Sequence, residues 1–362
     1  MPIEFSQERW ERLEETYGRW WSGSLERPIV PVELVGRDPL RDRPAAPLLS
    51  QATCHDFSIP PEDIIDRLDY ELSTRLFLGD AFPFVNLKSF GPGVAAAFLG
   101  AHLDNSSGQV WFLAPEDVPI TKLHFNDREG GIWLARIKDI CAAAMARWDG
   151  KVLVAMPDLG GVLDMLSTFR PGEKLLLDLY DNPDEVKRLT WELHDAWHGF
   201  YAEIDEVLGE TNPGHSDWSG LYSSEPSYML QCDFSYMISP EMFAEFVKPE
   251  LTASCGKLVH AFYHMDGPGQ LSHLDHLLSI EGLDGIQWIP GAGAPGCEHW
   301  SDVYKSINES GKRIQLGGSG FGTLDVVINQ IGTGRGLQHT VFQRPIAEEG
   351  AVRRELAKYG IE

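Results

Sequence analysis

No stretch of this chain approaches the roughly 18 to 20 uninterrupted apolar residues that cross a bilayer as a helix, so a transmembrane segment is not expected. Positive charge is scarce as well: 30 Lys and Arg stand against 54 Asp and Glu, a formal charge of -24. Such a chain repels phosphate backbones and anionic lipid, whose recognition depends on clustered basic side chains, so neither nucleic acid nor a membrane surface is an expected partner. The five cysteines (Cys54, Cys141, Cys232, Cys255, Cys297) are odd in number and contain no C-x-x-C pair. That pattern argues against a disulfide framework and for a reducing compartment. The first residues are acidic where a secretory signal would be basic and then apolar, so a cytoplasmic protein is expected. P-loop motifs, internal repeats and low-complexity segments are all missing.

What is present suits a large α/β domain. The 362 residues are 43% hydrophobic and include 11 Trp, ample material for a core. Trp10, Leu13, Tyr17, Trp20 and Trp21 recur at spacings of three and four behind Ser6, which predicts an amphipathic helix with a serine N-cap and an aromatic packing face. IVPVELVG then reads as a buried strand, with Arg37 the first polar side chain beyond it and a candidate anion contact. Pro61 to Phe77 has helical spacing, followed by Asp80 at a strand-to-loop position. The pattern from Gln109 to Phe125 suggests a β-hairpin-like insertion. Helices are expected over Ile132–Trp148 and from Asn182 to about Leu208, and Ser239-Pro240 is a good cap and first turn for another. Strands alternating with helices favour a TIM (β/α)8 barrel spanning residues 1–362, with residues 1–27 as an N-terminal helical extension.

The stretch Lys257 to Gly293 is one βαβ unit. On its first strand Val259, Ala261, Tyr263 and Met265 alternate with His260, Phe262, His264 and Asp266, so the second face ends in a His-x-Asp pair. Gly267-Pro268-Gly269 follows at once, and ligands of parallel α/β proteins bind at that end of the strands. Asp80, Asp158, Asp233 and Asp266 all stand at apparent strand ends, and Gln287 and His339 are placed at the same mouth. Carboxylates gathered there repel one another unless a metal or a basic group offsets them. The competing explanation is that some of these aspartates only cap helices.

Several stretches together resemble the uroporphyrinogen decarboxylase-like family, a TIM-barrel group that also contains corrinoid and coenzyme M methyltransferases. They are RPIVPVELVGR, GDAFPFVNLKSFGPGVAAAFLG, DFSYMISPEMFAEFVKPEL, KLVHAFYHMDG with LLSIEGLDGIQWIPG, and GLQHTVFQRP. The resemblance implies that Asp80 is the carboxylate that organises pyrrole nitrogens, that His339 is the family's late histidine, and that Asp233 or Ser235 matches its serine-containing segment. The arginine-rich signature of the decarboxylases is reduced here to Arg37 in ELVGRDPL, too little cation for an octacarboxylate substrate, so uroporphyrinogen decarboxylation is not expected. In the methyltransferase branch zinc is held by His-x-Cys and a later Cys. The matching places here read His264-x-Asp266 and His339.

Three function classes therefore stand. The first is a metal-assisted methyltransferase acting with a corrinoid protein or a folate-like carrier. In it His264 and Asp266 share zinc with Cys297 or His339 as third ligand, with His299 within reach; Asp80, Asp233, His264 and His339 are catalytic, and Arg37, Asp158, Ser235 and Gln287 bind substrate. The second is a metal-independent decarboxylase (carboxy-lyase) of a small or tetrapyrrole-like acid, with Asp80 holding a substrate cation. The third is a binding barrel without chemistry. A retaining glycosidase is disfavoured, since no pair of strand-end glutamates stands out. A small-molecule substrate is expected in the first two, and a homodimer is compatible with all.

Overall fold

The computed structural model describes residues 3–125, 131–318 and 320–362. In chain order its strands are β1 (Pro31–Val35), β2 (Arg75–Gly79), β3 (Phe84–Val85), β4 (His102–Asp104), β5 (Trp111–Leu113), β6 (Leu153–Val154), β7 (Ser227–Gln231), β8 (His260–Asp266), β9 (Gly285–Ile289), β10 (Arg313–Leu316), β11 (Leu337–His339) and β12 (Val341–Pro345). Strands β7 to β11 form one five-stranded sheet in the order β11-β10-β9-β8-β7, every pair parallel. A parallel bridge from Ile29 to Gln338 joins it to β1, which pairs in parallel with β12. Strands β3 and β6 make a separate parallel pair. This is a mixed α/β fold, and among the described residues the assigned pairings do not close into a ring.

The helix Gln7–Trp21 forms as its spacing predicts, with Ser6 accepting from the Arg9 N–H. Its aromatic stripe makes a second core of its own with Phe82, Leu153, Met229 and Phe262. Trp21 stacks on His260 at 4.1 Å and Trp20 on Phe262 at 5.9 Å, so the helix covers the start of β8. Following β8 onward on that face, the lining changes from aromatic to His264 and then Asp266. The other face, Ala261, Tyr263 and Met265, is buried in the main core beneath the helices.

Three expectations are corrected. The helix expected to run to Phe77 stops at Ser73, and β2 follows, because Leu76, Phe77 and Leu78 complete an antiparallel pair with β1. The inserted hairpin exists but joins β4 to β5, so its first arm lies upstream of Gln109. A second hairpin went unread: His215 and Ser223 bridge, the Met156 N–H donates to Ser216 O at 2.9 Å, and the Met229 N–H donates to Asp217 Oδ2 at 2.6 Å. Residues 215–223 thus stand between β6 and β7, where a closed barrel would pair those strands directly.

The antiparallel β2 also relocates Asp80. Its end lies beside the beginning of β1, Gly79 opposite Pro31. There the buried Asp80 carboxylate grips Arg27 through two 2.8 Å bonds and accepts the Val30 N–H at 2.8 Å, under the N-terminal helix. Breaking one side of a buried pair leaves the other charge uncompensated, so Asp80→Asn is expected to cost about 3 kcal/mol in denaturant unfolding. An unchanged midpoint would contradict this anchoring role.

Candidate metal centre

Side chains opposite one another in a parallel ladder share a face, and one such row crosses the whole sheet. Gln231 of β7 stands opposite His264 of β8, then come Gln287 of β9, Gln315 of β10 and Gln338 of β11. The four glutamines are buried, where an unpaired amide costs about 1–3 kcal/mol. The partners of Gln287 and Gln315 are fixed from one end. The Ser219 carbonyl can only accept, so Gln315 turns its Nε2 to it at 3.1 Å and leaves its Oε1 as acceptor. Gln287 must then donate to that Oε1, at 2.6 Å, and present its own Oε1 to His264 Nδ1 in a short hydrogen bond. In the neutral imidazole of His264 it is therefore Nδ1 that carries the proton, and Nε2 holds the free lone pair. Trp218, on the tip of hairpin 215–223, packs edge-on against the imidazole at 5.0 Å.

That lone pair faces carboxylates. His264 Nε2 is 3.9 Å from Asp266 Oδ2, and Asp233, Asp266 and His264 each offer a ligand atom, all within 4.8 Å of one another. Asp266 projects beside His264 because the two are i and i+2 on a strand. Asp233 is brought in differently. It opens the turn Asp233–Met237 after β7, and the Asp164 carboxylate accepts its N–H at 3.0 Å and that of Phe234 at 2.8 Å. Gly267, at φ 82°, lets the chain turn sharply after Asp266, a conformation a side chain would strain. A cleft of about 330 Å3, lined by Asp233, Tyr236, Asp266, Pro268 and Gly291, opens onto the group.

Negative charge dominates the surroundings. Burial pushes the Asp158 carboxyl up to about 7, with Asp233 and Asp217 adding to the shift against hydrogen bonds from Gly160 and Gly93. Burial and then Asp233 raise Asp164 to about 7 as well. Asp217 is raised by burial, and Asp233 is raised by desolvation of its carboxylate and by Asp266, with His264 pulling the other way. Among the described residues no arginine or lysine figures with the groups that act on these four. An acidic cluster in which one imidazole is the base among the described residues favours a bound cation.

Of the residues singled out from sequence, the structure brings Asp233, His264, Asp266 and Gln287 together, with Asp158 adjoining them electrostatically. Gln287 is bonded to the histidine through Oε1 and to Gln315 through Nε2. The others lie elsewhere. Asp80 is held by Arg27, and Arg37 pairs with Glu4. Ser235 is buried in the turn beneath Asp233, where its carbonyl accepts from His273 at 2.9 Å. His339 is buried and donates Nε2–H to Gly320 O at 2.9 Å. Cys297 is buried with its carbonyl bonded to Tyr304, outside the group of possible ligands, which has Asp233 as its third member and contains no thiolate. His299 is exposed and faces Glu298 at 3.6 Å. Asp164, Asp217, Trp218 and Gln315 were not anticipated. The repeated Ile-Gln in GIQWI and RIQL was a legible sign of the glutamine row, since a polar residue centred in two buried strands needs a reason.

Two outcomes are expected. Gln315→Leu leaves Gln287 without its acceptor and weakens divalent-metal binding about ten- to a hundredfold, read by competition with a chromophoric chelator; unchanged affinity would remove the relay. In chelator-treated protein, Asp158 retains between pH 4 and 7 a proton that the unfolded chain has released. Stability from this group therefore falls as pH rises across that window and is level above about 7. Asp158→Asn flattens that slope, leaves the share due to Asp164, and is more stable than the parent at pH 8 in urea titrations; a slope identical to the parent's would contradict the burial argument.

No protein-family model matches the chain, and no curated protein matches it. Among solved structures it is similar to a methyltransferase from Methanosarcina mazei, with a TM-score of 0.61 and 12% sequence identity, over 96% of this chain and 99% of that one. At that identity the likeness is one of fold, extended over nearly both chains.

Proposed function

We propose that this chain is a metal-dependent methyltransferase, a divergent relative of the uroporphyrinogen decarboxylase-like barrels, that passes a methyl group between a small substrate and a corrinoid protein or folate-like carrier. The (β/α)8 reading takes the bridge at Ile29, the pair β3 and β6, and the five strands β7 to β11 as the barrel positions, with hairpin 215–223 wedged between β6 and β7. The observation that carries the proposal is the convergence of Asp233, His264 and Asp266 behind an oriented imidazole. The fold likeness to a methyltransferase supports the same class.

The donors fit a divalent first-row ion with one nitrogen and carboxylate oxygens, zinc among them. Bound there, such an ion would supply Lewis acidity to the heteroatom that carries the methyl group. The protein's own residues do the rest. Gln287 and Gln315 hold the His264 lone pair outward, Asp164 holds the Asp233 turn, and Trp218 shields one side of the imidazole. The proton for the heteroatom left by the departing methyl is assigned to Asp158, whose carboxyl burial favours in its acid form. The decarboxylase reading loses its key residue, because the Asp80 carboxylate is committed to Arg27.

The test is elemental analysis of protein purified without chelator, followed by methyl transfer from methylated thiols, amines and ethers to reduced cobalamin. Stoichiometric metal is expected in the parent and in Cys297→Ala, and its loss in His264→Ala and Asp233→Ala. Metal-free parent protein, or metal-loaded protein with no transfer from any donor, would overturn the proposal.

A further inference from the structure

The tip of hairpin 215–223 has two sides. Trp218 touches His264, while Ser219 and Gly220 form part of the wall of a separate cavity of about 440 Å3, a size ordinary for small-molecule sites. Its apolar wall includes Leu68, Leu72, Phe82 and Phe84, and its rim carries Leu48 and Phe342. Those last two are 43% and 63% exposed, large apolar side chains left in water beside a cavity. Covering such surface is what an apolar ligand body does.

Among the described residues the charges around this cavity leave one cation over. Arg75 Nη1 and Gln343 Nε2 both donate to Glu33 Oε2, at 2.9 and 2.7 Å, and Glu71 is occupied by Arg67 at 2.7 Å. Lys88 also lines the cavity, and among the described residues no carboxylate is paired with its ammonium. Beside it, Asn86 receives the Lys88 N–H on Oδ1 at 3.4 Å, which leaves its Nδ2 available for a ligand. In a chain of net charge -24, an unmatched lysine next to an amide donor at the end of an apolar cavity is a place for a single negative charge. The carboxylates of the wall are already engaged, so an organic cation has no partner there, and one lysine does not suit a polyanion.

We propose that this cavity is a binding site for a small monocarboxylate with an aromatic or branched apolar body, its carboxylate at Lys88 and Asn86 and its body against Phe82, Phe84 and Phe342. The site goes beyond the methyl-transfer reading and does not depend on it, since its residues are distinct from the metal donors and binding is read without turnover.

Calorimetric titration with 4-phenylbutyrate, 4-phenylbutan-1-ol and 4-phenylbutylamine tests it. Saturable one-to-one binding of the acid is expected, with the alcohol about tenfold weaker and the amine not binding. Lys88 and Phe342 are exposed, so Lys88→Glu and Phe342→Ala keep the fold while weakening the acid about tenfold and about fivefold. Absence of saturable binding, equal binding of acid and amine, or parent-like binding in both cavity variants would overturn the proposal.

Discussion

A row of hydrogen-bonding side chains crosses the middle of a buried sheet, and the candidate site depends on how His264, Gln287 and Gln315 within it find their partners. The energy of an unmade buried hydrogen bond, about 1–3 kcal/mol, is a large fraction of the 5–15 kcal/mol by which such domains are stable. The chain from His264 through Gln287 and Gln315 satisfies this demand by ending on a backbone carbonyl, Ser219 O, that has only one possible role. Direction is thereby imposed on every amide in between. The same constraint that protects the core fixes which imidazole nitrogen bears the proton.

Hairpin 215–223 is what brings that carbonyl inside. Asp217 holds its base by accepting the N–H groups of Ser219 and Met229, at 2.7 and 2.6 Å, and this is achieved with a carboxylate that burial makes reluctant to ionise. One excursion of nine residues thus separates β6 from β7, supplies the acceptor for the glutamine relay, packs Trp218 on the histidine and walls off the neighbouring cavity. Further along the same face, the aromatic layer from the N-terminal helix closes the other end of β8. Polar chemistry is confined to the stretch from His264 to Asp266.

Much of this was legible in the chain, for identifiable reasons. The two faces of β8 follow from strict alternation, and the i, i+2 relation of His264 and Asp266 follows from strand geometry alone. The N-terminal helix, its cap and its aromatic face follow from spacing, as does Ser239, which accepts the Met242 N–H at 3.3 Å ahead of Pro240. Asp80 misled because the rule about strand ends assumes parallel strands, and the local sequence does not reveal that β2 runs backwards. Cys297 misled because proximity in a loop of a βαβ unit says nothing of side-chain direction. Asp164 sits on a helix, Val162–Phe169, and reaches Asp233 only through folding, a relation 69 residues apart that no local pattern encodes.

A metal held by Asp233, His264 and Asp266 would meet one imidazole and carboxylate oxygens without sulfur. X-ray absorption at the zinc edge of the metal-loaded protein reads that set directly. The account predicts a first shell of nitrogen and oxygen at about 2.0–2.2 Å with the multiple-scattering pattern of one histidine. A sulfur shell at about 2.3 Å would restore Cys297 as a ligand and contradict it, as would protein that retains no metal after loading and desalting.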